Sequence, residues 1–367
     1  MIRVLHILPT LNICGGIENF VMNYYRHIDR EKIQFDFLIH ELSDDNFKEE
    51  VESLGGKVYL FPKFTLLNIS NILQQLKLFY AEHNEYQIIH CHMANAAPFH
   101  FYYAKKGSVK VKILHSHQPS GADKLTHRIR NYCLLKLANA RADIRLAGSV
   151  DSGNFLFGKR HFTVIKNAIN ADVFKSSWKY RESTRKKLNL EGKLVLGHIG
   201  RFAPVKNHKF LLDIIQSLIS IRPDSVLCLV GEGETKPYVM KKILDRGLQK
   251  NVVIVDTCRN VYELYSAFDV FLLPSFYEGF GLVAVEAQYA GIHVIASKNR
   301  VPVESKISNY LDFLPLEDGV DRWVQKIIEI SDDKKSIIIS NDDYDIKNQT
   351  VILENMYLEL YAKYGKI

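Results

Sequence analysis

Cysteine is scarce and unpatterned in this sequence. Five occur, Cys14, Cys91, Cys133, Cys228 and Cys258, an odd number with no C-x-x-C pair. That argues against a disulfide framework and a structural zinc site, and fits small buried hydrophobes in a reducing compartment. Long apolar runs are missing too: no stretch approaches the roughly 20 residues of a membrane-spanning helix. The opening segment, MIRVLHILPT, is interrupted by His6 and Pro9 and does not read as a signal peptide. The aromatic signature of RNA binding is absent. The first glycine-bearing loop is not G-x-G-x-x-G, which weakens a nicotinamide-nucleotide reading. These absences predict a cytoplasmic chain, soluble or peripheral on the inner face of a membrane, with no nucleic-acid partner.

What is present is ordinary in amount and ordered in pattern. The 367 residues exceed the roughly 250–300 that one core supports, so two domains are expected. A hydrophobic share of 47% and a charged share of 24% exclude extensive disorder. The net charge is +7. Basic residues concentrate from Lys105 to Arg145, among them Lys112, Lys124, Arg128, Arg130, Lys136 and Arg141. Such a field suits phosphates or acidic lipid headgroups, and equally a set of solvated faces.

Short runs rich in Val, Ile and Leu read as buried strands at 3–8, 35–39, 57–61, 87–92, 110–117 and 144–149. Amphipathic stretches separate them, such as Phe20, Val21, Tyr24, Tyr25 and Ile28 on one helical face. A second series begins near 193, with strands at 194–200, 226–233, 252–256, 269–275 and 293–297. Its helices fit 207–220, 237–246, 260–267 and 282–290. This alternation implies βαβ units and parallel sheets. The fold class is therefore α/β, with two Rossmann-like domains, 1–166 and 167–345, a hinge near 166–172 and a last helix within 346–367. In such sheets ligands bind beyond the carboxyl ends of the strands, so the loops there carry the chemistry.

In the first such loop, PTLNICGGIEN, Gly15 and Gly16 precede a helix. They serve either loop geometry or phosphate binding at the helix N-terminus. In the second domain the strand LVLGHIG runs into Arg201, then Lys206 before the next helix. A planar guanidinium and a mobile ammonium bracketing a turn suit a diphosphate clamp, though taken by itself Arg201 reads more readily as a surface charge. The block from Pro274 to Gln288 is the most informative. Glu278 sits in a glycine-bearing loop and Glu286 about one turn into the following helix. Free amides around Phe280, Gly281, Leu282 and Val283 can meet hydroxyls or phosphate, and two carboxylates can each grip a pair of hydroxyls. The alternative is an exposed loop glutamate and a helix-face glutamate.

Histidines pair as His90 with His92 and His115 with His117, each pair on one strand face. With no carboxylate at matching spacing, polar-site or core histidines fit better than metal ligands. Asp343-Tyr-Asp345 has the form of a D-x-D metal motif but lies in a polar linker, and reads as a solvated acidic loop.

Together these motifs resemble family-four glycosyltransferases, retaining enzymes of the GT-B fold. The carriers are GGIE at 15–18, HSH at 115–117, GRFAPVK at 200–206, VGEG at 230–233 and EGFGLVAVE at 278–286. Bacterial enzymes of capsular and exopolysaccharide assembly look most similar. The resemblance implies an acceptor-binding domain at 1–166 and a donor-binding domain at 167–345, facing each other across a cleft. It implies a last helix that crosses back to the first domain. It also implies no metal or other cofactor, and a nucleotide-sugar donor of the UDP class. Gly15 and Gly16 would approach the donor phosphate, and Arg201 and Lys206 would neutralise the diphosphate. Glu278 and the amides of Phe280, Gly281 and Leu282 would hold the donor sugar, with Gly231 in the donor set. Glu286 would take the ribose hydroxyls, and His115 or His117 would line the sugar site.

The expected reaction is transfer of a hexosyl or N-acetylhexosaminyl group to a glycan or lipid-linked glycan. Residues 124–141 are the expected contact with acidic membrane. The loop KNRVPVES after the strand at 293–297 departs from the glycine-rich turn common in relatives. Two other readings compete: a nucleotide-sugar epimerase or hydrolase of the same fold, and a non-catalytic nucleotide-sugar-binding protein.

Overall fold

A computed structural model describes residues 1–13, 15–65, 68–117, 125–256, 260–331, 339 and 341–365, with the side chains of 125–131 excepted. The chain divides into two compact units, Met1–Ala168 with Asp345–Ile367, and Ile169–Tyr344.

The first unit runs β1 (Ile2–Leu8), α1 (Gly16–His27), β2 (Ile33–Ile39), α2 (Lys48–Ser53), β3 (Val58–Leu60), α3 (Ile69–Glu82) and β4 (Tyr86–Cys91). It continues with α4 (Ala97–Ala104), β5 (Val111–Ser116), α5 (Leu125–Arg141), β6 (Ile144–Ala147), α6 (Val150–Phe157) and β7 (Thr163–Val164). Its strands pair in parallel in the order β3-β2-β1-β4-β5-β6-β7.

The second unit holds α7 (Ala171–Lys175), α8 (Arg181–Lys187), β8 (Leu194–Ile199), α9 (His208–Leu218), β9 (Ser225–Val230), α10 (Lys236–Asp245) and β10 (Val252–Val255). After these come α11 (Val261–Ala267), β11 (Val270–Leu273), α12 (Leu282–Tyr289), β12 (His293–Ser297), β13 (Leu311–Leu314) and α13 (Gly319–Ser331). Its order is β10-β9-β8-β11-β12-β13, again parallel. The last helix, α14 (Ile346–Tyr364), packs in the first unit, where Ile346, Leu353 and Tyr357 join Phe20 and Tyr24 of α1 in one core.

Each sheet is covered on both faces, which is why its strands read as nearly continuous apolar runs. In the first unit one face meets α1, α2 and α14, and the other meets α3, α4, α5 and α6. Side-chain alternation then decides what each face carries toward its carboxyl end. On the α1/α14 face, Val4, Ile88 and Ile113 are apolar, and the next residues outward on their strands are His6, His90 and His115.

One acidic residue near the unit boundary has structural work. The Asp345 carboxylate caps α14 by accepting from the Lys347 amide. Tyr344 between Asp343 and Asp345 is buried.

Much of the basic stretch is also internally satisfied. Lys112 Nζ pairs with Asp143 at 2.5 Å, Arg145 binds the Asn139 side chain, and Arg141 donates to the Pro98 carbonyl. Lys124 and the side chains of Arg128 and Arg130 lie outside the described residues. No helix among the described residues is long and apolar enough to cross a membrane.

Candidate functional site

In the second unit three strand-end loops converge within the same sheet. β8 ends at Ile199, and the chain passes through Gly200 and Arg201 to a short 3-10 turn at Pro204–Lys206. The loop after β9 lies against it. Phe202 donates its amide to the Glu232 carbonyl at 2.8 Å, and Thr235 returns a bond to Phe202 at 3.0 Å. Glycine at 231 is dictated by this contact: at φ +144°, a Cβ there would stand 2.2 Å from the Gly200 carbonyl oxygen. Gly231, expected in the donor set, thus owes its small size to the neighbouring loop.

The third loop follows β11 and carries Glu278. Its carboxylate accepts from Lys206 Nζ at 2.7 Å and from Ser275 Oγ at 2.5 Å. The pair is sheltered, with side-chain exposures of 16% for Lys206 and 10% for Glu278, so it is held more firmly than a surface ion pair. Breaking it leaves a poorly solvated charge, a cost of about 1–3 kcal/mol. Arg201 is exposed and has no partner among the described residues. Its guanidinium adds positive charge at the same strand tip.

Gly281 caps α12 in the left-handed conformation at φ +82°, and the amides of Phe280 and Gly281 have no partner among the described residues. Phe280 stacks on Tyr344 at 4.8 Å, which fixes this turn. Leu282 opens the helix, so its amide is among the first-turn donors without an intrahelical acceptor. Glu286, one turn in, accepts from Tyr265 Oη at 2.6 Å. Burial pushes its carboxyl up to about 7, against the smaller opposing effect of the Tyr265 hydroxyl.

The KNRVPVES loop packs onto this turn. The Arg300 carbonyl accepts from the Glu278 amide at 3.0 Å, and Val301 Cγ1 lies 3.1 Å from the position a Gly281 Cβ would take. Asn299 supplies a left-handed residue at φ +60° in that loop, a conformation asparagine tolerates better than most non-glycine residues.

In the first unit, the space a side chain on Gly15 would fill is taken by the Glu18 carboxylate, which is also hydrogen-bonded by Thr10. Gly16, by contrast, has open space. A negative group approaching this helix N-terminus would therefore meet Gly16, with Glu18 already occupying the turn.

His115 is buried and His117 half-buried. Both belong to a stack with His6, His90 and His92 on the α1/α14 face of the sheet. Desolvation lowers the pKa of all five; His6 and His117 are brought down to about 3. All five imidazoles are therefore neutral at pH 7.

Sequence reasoning missed several partners. Ser275 was signalled by its place at a strand end three residues before Glu278. His6 and Tyr357 carried only a weak signal, each being a polar group at a core-facing position. Tyr265 carried no sequence signal toward Glu286. A cavity of about 720 Å³ in the second unit, lined by Trp178, Asp269, His293 and Asp312, lies at the amino ends of the strands, opposite these loops.

Comparison with known proteins gives the family and the fold. The family model "Glycosyltransferase Family 4" matches residues 14–173, and "Glycosyl transferases group 1" matches 180–346. A protein named as glycosyltransferase EpsF of Bacillus subtilis (strain 168) is 29% identical over 89% of this chain and 86% of its own length. CapH of Staphylococcus aureus, a capsular polysaccharide biosynthesis glycosyltransferase, is 23% identical over 98% of this chain and 99% of its own. Among solved structures, HepE of Anabaena in complex with UDP and glucose matches with a TM-score of 0.73 at 19% identity, covering 99% of this chain and 100% of that one. With both family domains in sequence and two parallel α/β units of this architecture, the chain belongs to the family-four, group-one glycosyltransferases of GT-B fold.

Proposed function

We propose that this glycosyltransferase moves a hexosyl or N-acetylhexosaminyl group from a UDP-sugar to a glycan or lipid-linked glycan acceptor in surface polysaccharide synthesis. It does so with retention and without a metal. The observation that carries the reading is the sheltered Lys206–Glu278 pair beside Arg201, which has no partner among the described residues, at strand tips whose amides are likewise unpartnered among those residues.

Cleaving a sugar–diphosphate bond builds negative charge on the leaving group. Arg201 and Lys206 would meet that charge with cations already in place. Glu278 would hold sugar hydroxyls beside the amides of Phe280, Gly281 and Leu282, and Glu286 the ribose hydroxyls. Gly231 would keep the loops close enough to shape this pocket. Gly16, seated by the Gly15 turn, would face the donor phosphate, and His115 or His117 the sugar. No carboxylate is evident as a nucleophile in this set. Retention is then best served by same-face attack of the acceptor hydroxyl, its proton passing to the departing phosphate. The UDP class and the polysaccharide setting draw support from the ligands of HepE and the name of CapH.

Incubation with a panel of UDP-hexoses and UDP-N-acetylhexosamines, in EDTA, with glycan and lipid-linked acceptors should yield an α-linked product from an α-linked donor by NMR. An inverted product, or sugar release without any acceptor, would contradict the reading; acceptor-free release would favour the hydrolase alternative. For a membrane-borne acceptor, residues 124–141 would sit on acidic lipid. Charge reversal at Lys124, Arg128 and Arg130 should abolish liposome co-sedimentation, and unchanged binding removes that seat.

A further inference from the structure

The five histidines of the first unit are arranged as two hydrogen-bonded ribbons laid on each other. In one, Tyr357 Oη lies 2.6 Å from His90 Nδ1, and His90 Nε2 lies 3.0 Å from His115 Nδ1. In the other, His6 Nδ1 lies 3.0 Å from His92 Nε2, and His92 Nδ1 lies 2.7 Å from His117 Nε2. Rings joined end to end are tilted by 7° for His90 and His115, 16° for His6 and His92 and 28° for His92 and His117. The ribbons stack face to face, His90 on His92 at 4.3 Å and His115 on His117 at 4.1 Å. This arrangement follows from strand order: β1, β4 and β5 are neighbours, and alternation puts all five rings on one face.

A neutral imidazole has one N–H and one lone pair. A ribbon of neutral rings can therefore point only one way or the other along its whole length. Tyr357 sets the direction of the first. It is fully buried, and its hydroxyl has His90 as its sole partner among the described residues. Were the phenol to accept from His90, both its own O–H and the His115 Nε2 lone pair would be left buried without partners among the described residues, whereas a donating phenol leaves over the His115 Nε2–H alone. The phenol donates, so His90 carries its proton on Nε2 and donates to His115 Nδ1. The His115 proton then sits on Nε2, a buried nitrogen with no partner among the described residues.

We infer that Tyr357, acting through His90, fixes His115 in the Nε2–H tautomer, so that it presents a hydrogen-bond donor to an oxygen of the bound sugar. The ligand part of this inference rests on the proposed function above. Tyr357 and His90 are positioning residues; neither touches substrate. The second ribbon has no such anchor, because its far end, His6 Nε2, is buried without a partner among the described residues.

The test is long-range ¹H–¹⁵N NMR of the full chain labelled at histidine, with His115 assigned by His115→Asn. The expected result is a single Nε2–H tautomer for His115 at pH 7. In Tyr357→Phe an Nδ1–H population should appear, and kcat for sugar transfer should fall roughly three- to tenfold at unchanged KM for the UDP-sugar. His90→Gln, whose amide can both accept from the phenol and donate to His115, should restore tautomer and rate; His90→Leu should not.

An Nδ1–H tautomer in the wild type, or a tautomer unchanged in a folded Tyr357→Phe protein, overturns the inference. The nitrogens of His6, His90 and His92, and of His92, His115 and His117, also lie within 4.8 Å of one another. Stoichiometric zinc whose removal by EDTA shifts these resonances would therefore overturn it as well, since a metal would displace a ribbon proton. If the tautomers are as expected but no UDP-sugar is ever transferred, the functional reading fails instead, and with it the donor role of His115.

Discussion

The two units solve the same problem with different chemistry. Both are parallel sheets wrapped on two faces, and both gather polar groups toward the carboxyl ends of central strands. The second unit uses full charges: Lys206 against Glu278, with Arg201 alone beside them. The first uses neutral imidazoles bonded, among the described residues, to one another and to a phenol. Charges suit a diphosphate, whose binding must offset the loss of hydration of a polyanion. Neutral rings suit hydroxyls, which need direction more than field. The difference teaches that burial and pairing together govern the choice: full burial favours neutral imidazole, while Lys206 and Glu278 keep partial exposure and face each other.

The comparison can be broken most forcefully at Lys206. Lys206→Ala should lower kcat/KM about 10²- to 10³-fold and leave Glu278 without its cation. A variant within a few-fold of wild type would remove the diphosphate from this strand tip. Next in size is Gly231→Ala, which forces a Cβ into the Gly200 carbonyl at a positive φ. It should cost about 2–4 kcal/mol and lower Tm by roughly 5–10 °C in calorimetry.

A smaller effect sharpens the contrast between charged and neutral sites. Glu286 is held up to about 7, so it is protonated below that pH and ionised above it. UDP affinity should strengthen roughly tenfold from pH 6 to pH 8 in calorimetric titrations, and Glu286→Gln should flatten the profile. The stability effect has the opposite sense. Because the folded pKa exceeds the ordinary 4.5, the folded state retains a proton that the unfolded chain has lost. This group therefore costs stability progressively as pH rises from the unfolded value through about 7. Smallest is Asp345→Ala, which removes the cap of α14 and should cost about 1 kcal/mol by urea denaturation.

Legibility in the sequence followed the same divide. The strands that carry the site came from short apolar runs, because burial on both faces leaves that mark. The brief edge strands β7 and β13 left too few residues for a pattern. Helix α13 does show its spacing in Trp323, Val324, Ile327 and Ile330, but it lies beyond Ser297, where the alternation read from sequence stopped. In the second unit Arg201, Lys206, Glu278 and Glu286 were legible because strand-end position and nearby glycines are local features. The histidine ribbons were not. They require β1 to lie beside β4 and α14 to return over β1, and no local spacing of His6, His92 or Tyr357 encodes either fact. The unread Tyr265–Glu286 and Ser275–Glu278 bonds show the same limit at shorter range.

The proposed function stands on a metal-free diphosphate clamp at Arg201 and Lys206. Its most direct test is calorimetric titration of UDP into the wild type and Arg201→Ala, each with and without EDTA. Micromolar binding that survives EDTA and collapses in the variant is the predicted result. Binding that vanishes with EDTA, or that is the same in Arg201→Ala, would contradict it.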